Sequence, residues 1–203
     1  MTVLPIYSTP FWSSELPEFK EQKETFLQAV RAFKENNPSI AKSNIAGYHS
    51  PDTLQGVPEL RPLLEFICSM ALQAVEDLNF IECDVFLTSA WVNFNNTRQA
   101  MNNEHIHDQT FSGVFYLSAP PESGRLVVFN PGLNRLWSGC ALTQTKNEFT
   151  GDMLRIEPQE GAVLLWPAYL PHSVETNNHD EERISISFNI IALPKGKMNF
   201  PTL

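Results

Sequence analysis

Three things are scarce in this 203-residue chain: paired cysteine, clustered positive charge and long apolar runs. The three cysteines, Cys68, Cys83 and Cys140, are odd in number and far apart, with no Cys-x-x-Cys spacing. That excludes a disulfide framework and a zinc knuckle, and reads as buried free thiols. Lys and Arg total 14 against 23 Asp and Glu, a formal net charge of −9, and the basic residues form no cluster. Phosphate binding needs a basic stripe, so nucleic acid is set aside as a partner. No run approaches the roughly 18 apolar residues of a membrane span, so no membrane contact is expected. The opening MTVLPIYSTPFW has neither a basic n-region nor a long apolar segment, which reads against a signal peptide and makes the cytoplasm the expected location. No repeat and no low-complexity linker interrupts the chain. A single domain over residues 1–203 is expected, long enough to bury a full core.

What is present divides the chain by texture. In SSELPEFKEQKETFLQAVRAFKENNP, Ser13 and Ser14 read as N-caps. Phe19, Phe26, Leu27, Val30 and Phe33 follow at helical spacing, and the helix is expected to stop before Pro38. In VPELRPLLEFICSMALQAVEDLNF, a stripe at i, i+3, i+4 and i+7 runs through Leu60, Leu63, Leu64, Ile67, Ala71, Ala74, Val75 and Leu78. Pro62 suits the first turn, where its missing N–H costs little. Residues 1–83 therefore read as a helical part. From Asp84 onward, DVFLTSAWVNFN, TFSGVFYLS, SGRLVVFNP, DMLRIEP, GAVLLWP, HSVETN and RISISFNIIAL are short β-branched and aromatic runs separated by turn residues. The expected fold is mainly β: a jelly roll or cupin-like barrel over residues 84–193, with the helices on one face and a tail at 194–203. The polar insert 131–151, with Trp137, reads as a loop over one end and a candidate lid.

Two of the five histidines stand in EHIHDQTFSGVFYLS, residues 104–118. On a strand, residues i and i+2 face the same way, about 6.6 Å apart along the backbone, so His105 and His107 can converge on one ion. Asp108 would face away if the strand continued, but a turn at residues 108–109 could bring it back. His172, after the Pro-bounded turn in WPAYLPHSV, offers a third ligand. His49 in a turn-like GYHSPD and His179 in an exposed-looking NNHDEE are weaker candidates. In RISISFNI, Arg183, Ser185, Ser187 and Asn189 alternate with Ile184, Ile186, Phe188 and Ile190. The polar set is either a solvated face or a polar barrel lumen, in which Arg183 would be a fork for a carboxylate.

These motifs resemble the iron(II)- and 2-oxoglutarate-dependent oxygenases, whose signature is His-x-Asp/Glu, a distal His and an Arg-x-Ser about ten residues on. Ten residues separate His172 from Arg183, and Ser185 completes Arg-x-Ser. More narrowly, SNIAGYHS, WVNF, HIHDQTFSGVFYL and LLWPAYLPHSV…RISISFN are similar to a small bacterial and phage family of such oxygenases, over roughly residues 43–192. The resemblance implies a double-stranded β-helix with Fe(II) at its mouth and 2-oxoglutarate and O₂ as co-substrates. It implies His105 and His172 as metal ligands. It also implies Arg183 and Ser185 as the 2-oxoglutarate carboxylate site, with Tyr116 and Asn93 as further contacts. The departure is His107, where the superfamily has a carboxylate. Either His107 completes a three-histidine site or Asp108 swings in to make a facial triad, with strand parity favouring His107. No catalytic side chain beyond the metal site is expected.

Two other readings stand beside this one. A cupin-like three-histidine dioxygenase that does not use 2-oxoglutarate is favoured by His-x-His and by GAVLLWP, although Tyr169 stands where the second cupin motif expects glycine. A barrel that binds a metal or small ligand without turnover is the third. Tyr116 and Asn93 also read as barrel filling, Asp108 as a turn residue capping its own backbone, and Trp166 as core. The substrate, small molecule or protein, is not written in the sequence, and neither is a homodimer.

Overall fold

The computed structural model describes residues 8–95, 98, 100–132 and 151–196. The 133–150 part of the candidate lid, with Trp137 and Cys140, lies outside the described residues. Eleven strands are described, with two α-helices, α1 (Phe19–Asn36) and α2 (Arg61–Asp77). The strands are β1 (Trp12–Glu15), β2 (Asn44–Ile45), β3 (Tyr48–His49), β4 (Cys83–Asn95), β5 (Met101–His105), β6 (Phe111–Ser118), β7 (Leu126–Phe129), β8 (Met153–Ile156), β9 (Ala162–Pro167), β10 (His172–Val174) and β11 (Arg183–Pro194). They form two antiparallel sheets, ordered β1-β9-β6-β11-β4-β3 and β2-β5-β10-β7-β8. The non-sequential neighbours are the crossed connections of a double-stranded β-helix.

Ser13 and Ser14 do not cap a helix. They lie in β1, paired with Leu164 and Val163 of β9, because an open sheet edge offers this segment backbone hydrogen bonds that a cap does not. The helix begins only after Glu18, which takes a left-handed conformation (φ 52°). It stops where expected: Pro38 disfavours helical backbone in the residue before it, and Asn37 is extended (φ −134°, ψ 126°). Pro62 sits in the first turn of α2. Strands β1, β2 and β3 also mean that the first third of the chain is not purely helical; it adds edges to both sheets.

Side-chain parity on β11 organises the interior. Ile184, Ile186, Phe188 and Ile190 point to the helices and join one core with Phe26, Val30, Leu63, Leu64, Ile67, Phe115 and Leu165. Fully burying each such side chain contributes roughly 1.5–3 kcal/mol. Gly113 on β6 makes the fit: a Cβ there would lie 2.3 Å from Phe188 Cζ and 2.5 Å from the Leu164 carbonyl. A second, smaller cluster fills the space between the sheets, with Val114, Tyr116, Leu126, Val128, Leu164, Trp166 and Leu170. Cys68 and Cys83 are free, and half-buried rather than buried. No helix among the described residues is long and apolar enough to cross a membrane.

Candidate metal centre

The polar face of β11 lines a lumen between the sheets, shared with the histidines. One row across the larger sheet is Asn93–Ser185–Tyr116 on β4, β11 and β6. Across the smaller sheet, His172 pairs with both His105 on β5 and Val128 on β7. Strand β5 was not evident in the sequence, since MNNEH lacks apolar alternation. Between the His105–His172 and Asn102–Val174 pairs the register shifts by one residue. Such bulges re-aim side chains beside functional sites; here Asn102 and His105 both line the lumen.

His105, His107 and His172 converge, their ligating nitrogens all within 4.8 Å of one another. Ring centroids are 4.3 Å apart for His105–His172, 4.9 Å for His105–His107 and 5.5 Å for His107–His172. His107 lies just past β5, tied by its N–H to the Ala168 carbonyl at 3.0 Å, and Ile106 between the two histidines is exposed. Asp108 is exposed and outside the group. Nδ1 of His105 donates to the Asn103 carbonyl (2.7 Å) and Nδ1 of His172 to the Leu170 carbonyl (2.8 Å). Each of these two rings therefore keeps its proton on Nδ1 and leaves Nε2 with a free lone pair.

The donor set fits a divalent transition metal: three neutral imidazoles suit iron, as they do zinc, copper and nickel. Burial, with the neighbouring His105, lowers His107 to about 4 and His172 to about 3. Unfolded, both would titrate near 6.5. Below that pH the unfolded chain gains protons that the folded chain refuses. The metal-free protein therefore loses stability as pH falls from about 6.5, the loss running on toward 4 for His107 and 3 for His172. We expect the urea midpoint of chelator-treated protein to be lower at pH 5 than at pH 7.5, and the difference to shrink in His172→Phe. An equal drop in both proteins would contradict this.

At the floor of the lumen stands Arg183, 1% exposed. Its Nη1 donates to the carbonyls of Ser123 (2.7 Å) and Gly124 (2.9 Å), while Nε has no partner among the described residues. Among the described residues no carboxylate pairs with it. Burial lowers its pKa to about 10, so it stays charged at neutral pH. Gly124 permits the arrangement at φ 92°, where a Cβ would meet the Glu175 carbonyl at 2.2 Å. Around Arg183 the lumen is lined by Ser185 and by Tyr116, whose pKa burial raises to about 12, keeping its hydroxyl a donor. Asn93 lines the lumen too, but both ends of its amide are engaged, accepting from Asn44 (3.2 Å) and donating to Ser187 (3.3 Å).

Residues 89–189 match the family model described as "Putative 2OG-Fe(II) oxygenase". That span holds the three histidines, Arg183, Ser185, Tyr116 and Asn93. Over that span the chain matches the 2OG-Fe(II) oxygenase family. Solved structures agree on the fold. The non-heme alpha ketoglutarate dependent epimerase SnoN from nogalamycin biosynthesis is 15% identical, with a TM-score of 0.68, over 96% of this chain and 89% of that one. A prolyl-4-hydroxylase from Pseudomonas putida is 16% identical (TM-score 0.61; 90% and 93% covered). HygX from Streptomyces hygroscopicus, solved with nickel and 2-oxoglutarate bound, is 15% identical (TM-score 0.61; 96% and 86% covered). No curated protein matches by sequence.

Two residues of this oxygenase that sequence reasoning passed over lie close by. His49, read as a turn residue, is buried on β3 and stacks on Trp91 (5.5 Å, 11°), whose ring lies 5.9 Å from that of His107. Its place in SNIAGYHS, one of the strings that carry the family resemblance, was the available signal. Ser123, whose carbonyl accepts from Arg183, is fully buried with a hydroxyl unpartnered among the described residues, and nothing in its local sequence pointed to it. His179 is outside the cluster; its Nδ1 accepts from the Glu181 N–H. Trp166 belongs to the inter-sheet core, as expected, and also lines the lumen, edge-on to His172 at 5.0 Å.

Proposed function

We propose that this oxygenase holds Fe(II) with His105, His107 and His172, and takes the distal carboxylate of 2-oxoglutarate on Arg183. One observation carries the reading. A buried guanidinium with no anionic partner among the described residues opens on the same lumen as three converging imidazoles. An uncompensated buried charge is costly, and a dianionic co-substrate held in this lumen would offset that cost. Ser185 and Tyr116 supply further donors to the same carboxylate. Asn93, with its amide engaged, shapes the wall beside them. Bound Fe(II), with 2-oxoglutarate and O₂, supplies an oxidative decarboxylation to succinate and CO₂ coupled to hydroxylation of a substrate, a small molecule or a protein.

The chain's own residues do the rest. His107 and His172, held uncharged at neutral pH by burial, present lone pairs without first losing protons. Arg183 and Tyr116 orient the co-substrate along the lumen, and Trp166, Leu126 and Val114 keep water from its flank. The net charge of −9 and the free thiols of Cys68 and Cys83 support a cytoplasmic enzyme that does not act on nucleic acid. The all-histidine donor set also favours a cupin-like dioxygenase that dispenses with 2-oxoglutarate, and one titration separates the two. Anaerobic addition of 2-oxoglutarate to the Fe(II)-loaded protein is expected to raise a weak visible charge-transfer band. Iron-loaded protein that shows no band would refute the 2-oxoglutarate assignment and leave the cupin-like chemistry.

A further inference from the structure

The three histidines are not held alike. His105 and His172 each donate to a carbonyl two residues back in their own segment, a partner the backbone supplies automatically. His107 has left the strand, and its Nδ1 faces the carboxamide of Asn189 on β11, 3.5 Å away. Asn189 is itself clamped. It sits in one register row with Ser89 on β4 and Ser112 on β6. Ser112 Oγ donates to Oδ1 (2.7 Å), and Nδ2 donates to Ser89 Oγ (3.1 Å). The register of β4 against β11 shifts immediately after this row, and Thr88 uses its hydroxyl to bond the Asn189 carbonyl (3.1 Å).

We propose that Asn189 is the positioning residue for His107, holding its ring and choosing its tautomer for metal binding. This rests on the three-histidine reading above. A metal on Nε2 requires the proton on Nδ1, and that proton needs an acceptor. With Nδ2 toward His107 the amide offers only a donor; turned over, it offers Oδ1. Both other partners are serine hydroxyls, which donate or accept equally, so the turn loses neither bond. An asparagine between two serines is thus an adaptable support. It accepts from His107 when metal is bound and donates to it when metal is absent. Two histidines are supported by fixed carbonyls and one by a reversible amide, which makes His107 the ligand whose support depends on occupancy.

The test compares wild type, Asn189→Leu and Asn189→Asp by Co(II) binding in anaerobic equilibrium dialysis. The visible spectrum of the Co(II) form and the thermal midpoint of the metal-free form are recorded alongside. Leucine keeps the branching at Cγ and removes the acceptor. Co(II) affinity is expected to fall about 10–100-fold, the range typical of lost outer ligand support, with an altered Co(II) spectrum. Aspartate can only accept, and is expected to bind Co(II) at least as tightly as wild type. A folded Asn189→Leu that binds within twofold of wild type with an unchanged spectrum overturns the proposal. Should the leucine variant not fold, Asn189→Asp decides: binding more than tenfold weaker than wild type overturns it. Failure of the wild-type chain to bind Co(II) overturns the three-histidine reading instead, so the two failures are distinguishable.

Discussion

Arg183→Leu is expected to weaken 2-oxoglutarate binding by at least ~100-fold while leaving metal binding at the histidines intact. The magnitude follows from what the guanidinium offers. A hydrogen bond to a charged group is worth about 1.5–3 kcal/mol, so a two-pronged contact to a carboxylate supplies roughly 3 kcal/mol or more, which is two decades of affinity or beyond. Stability of the ligand-free protein should move by only a few degrees. The substitution strands the Ser123 and Gly124 carbonyls, which destabilises, but it also removes an unpaired buried cation, which stabilises. Arg183→Lys keeps the charge but loses the planar fork, and should bind with intermediate affinity. Anaerobic isothermal titration of metal-loaded variants with 2-oxoglutarate measures this directly. An Arg183→Leu protein with wild-type affinity would show that the lumen's cation serves some other anion.

The second large effect is a contrast between neighbours. His107→Ala is expected to weaken Fe(II) or Co(II) binding by more than the ~10–100-fold that loss of an outer support costs, because a bond to the metal itself is removed. Asp108→Ala should bind metal within a few-fold of wild type, since its carboxylate is exposed and outside the converging group. Equilibrium dialysis of the two variants under identical conditions gives the answer. The opposite ranking, with metal lost from Asp108→Ala and kept by His107→Ala, would restore a two-histidine, one-carboxylate site. The distinction has chemical weight. Three neutral imidazoles leave the ion its full charge of +2, whereas a carboxylate would offset one unit of it.

Much of the architecture is legible in local pattern. The i, i+3, i+4 stripe of α2 is the face that meets the sheet, and Leu63, Leu64, Ile67, Ala71, Ala74 and Val75 are all buried. The strict alternation from Arg183 to Ile190 is the division between helix-facing core and polar lumen. The seven strand-like runs from Asp84 onward each correspond to a strand of the barrel. Periods of 3.6 and 2 carry this information because they depend only on which neighbours along the chain share a face. Less legible were β1, β2, β3 and β5. Their residues are polar or mixed, and what makes them strands is the sheet edge they meet, a partner 44 to 153 residues away in sequence.

The candidate site divides in the same way. The His-x-His pair, the distal His172 and Arg183-x-Ser185 are visible as strings, because the spacing of like-facing side chains is a one-dimensional property. Which of His107 and Asp108 turns inward is not. It depends on the His107 N–H meeting the Ala168 carbonyl and on Asn189 reaching across from β11. Nor could the sequence tell whether Arg183 already had an acidic partner, since that is a statement about everything within a few ångströms of it. By itself the sequence determined the fold's periodicities and the inventory of ligating and charged groups. The tertiary structure decided which of those groups converge, which are buried, and which are left without partners, because convergence and desolvation arise only where distant segments pack together.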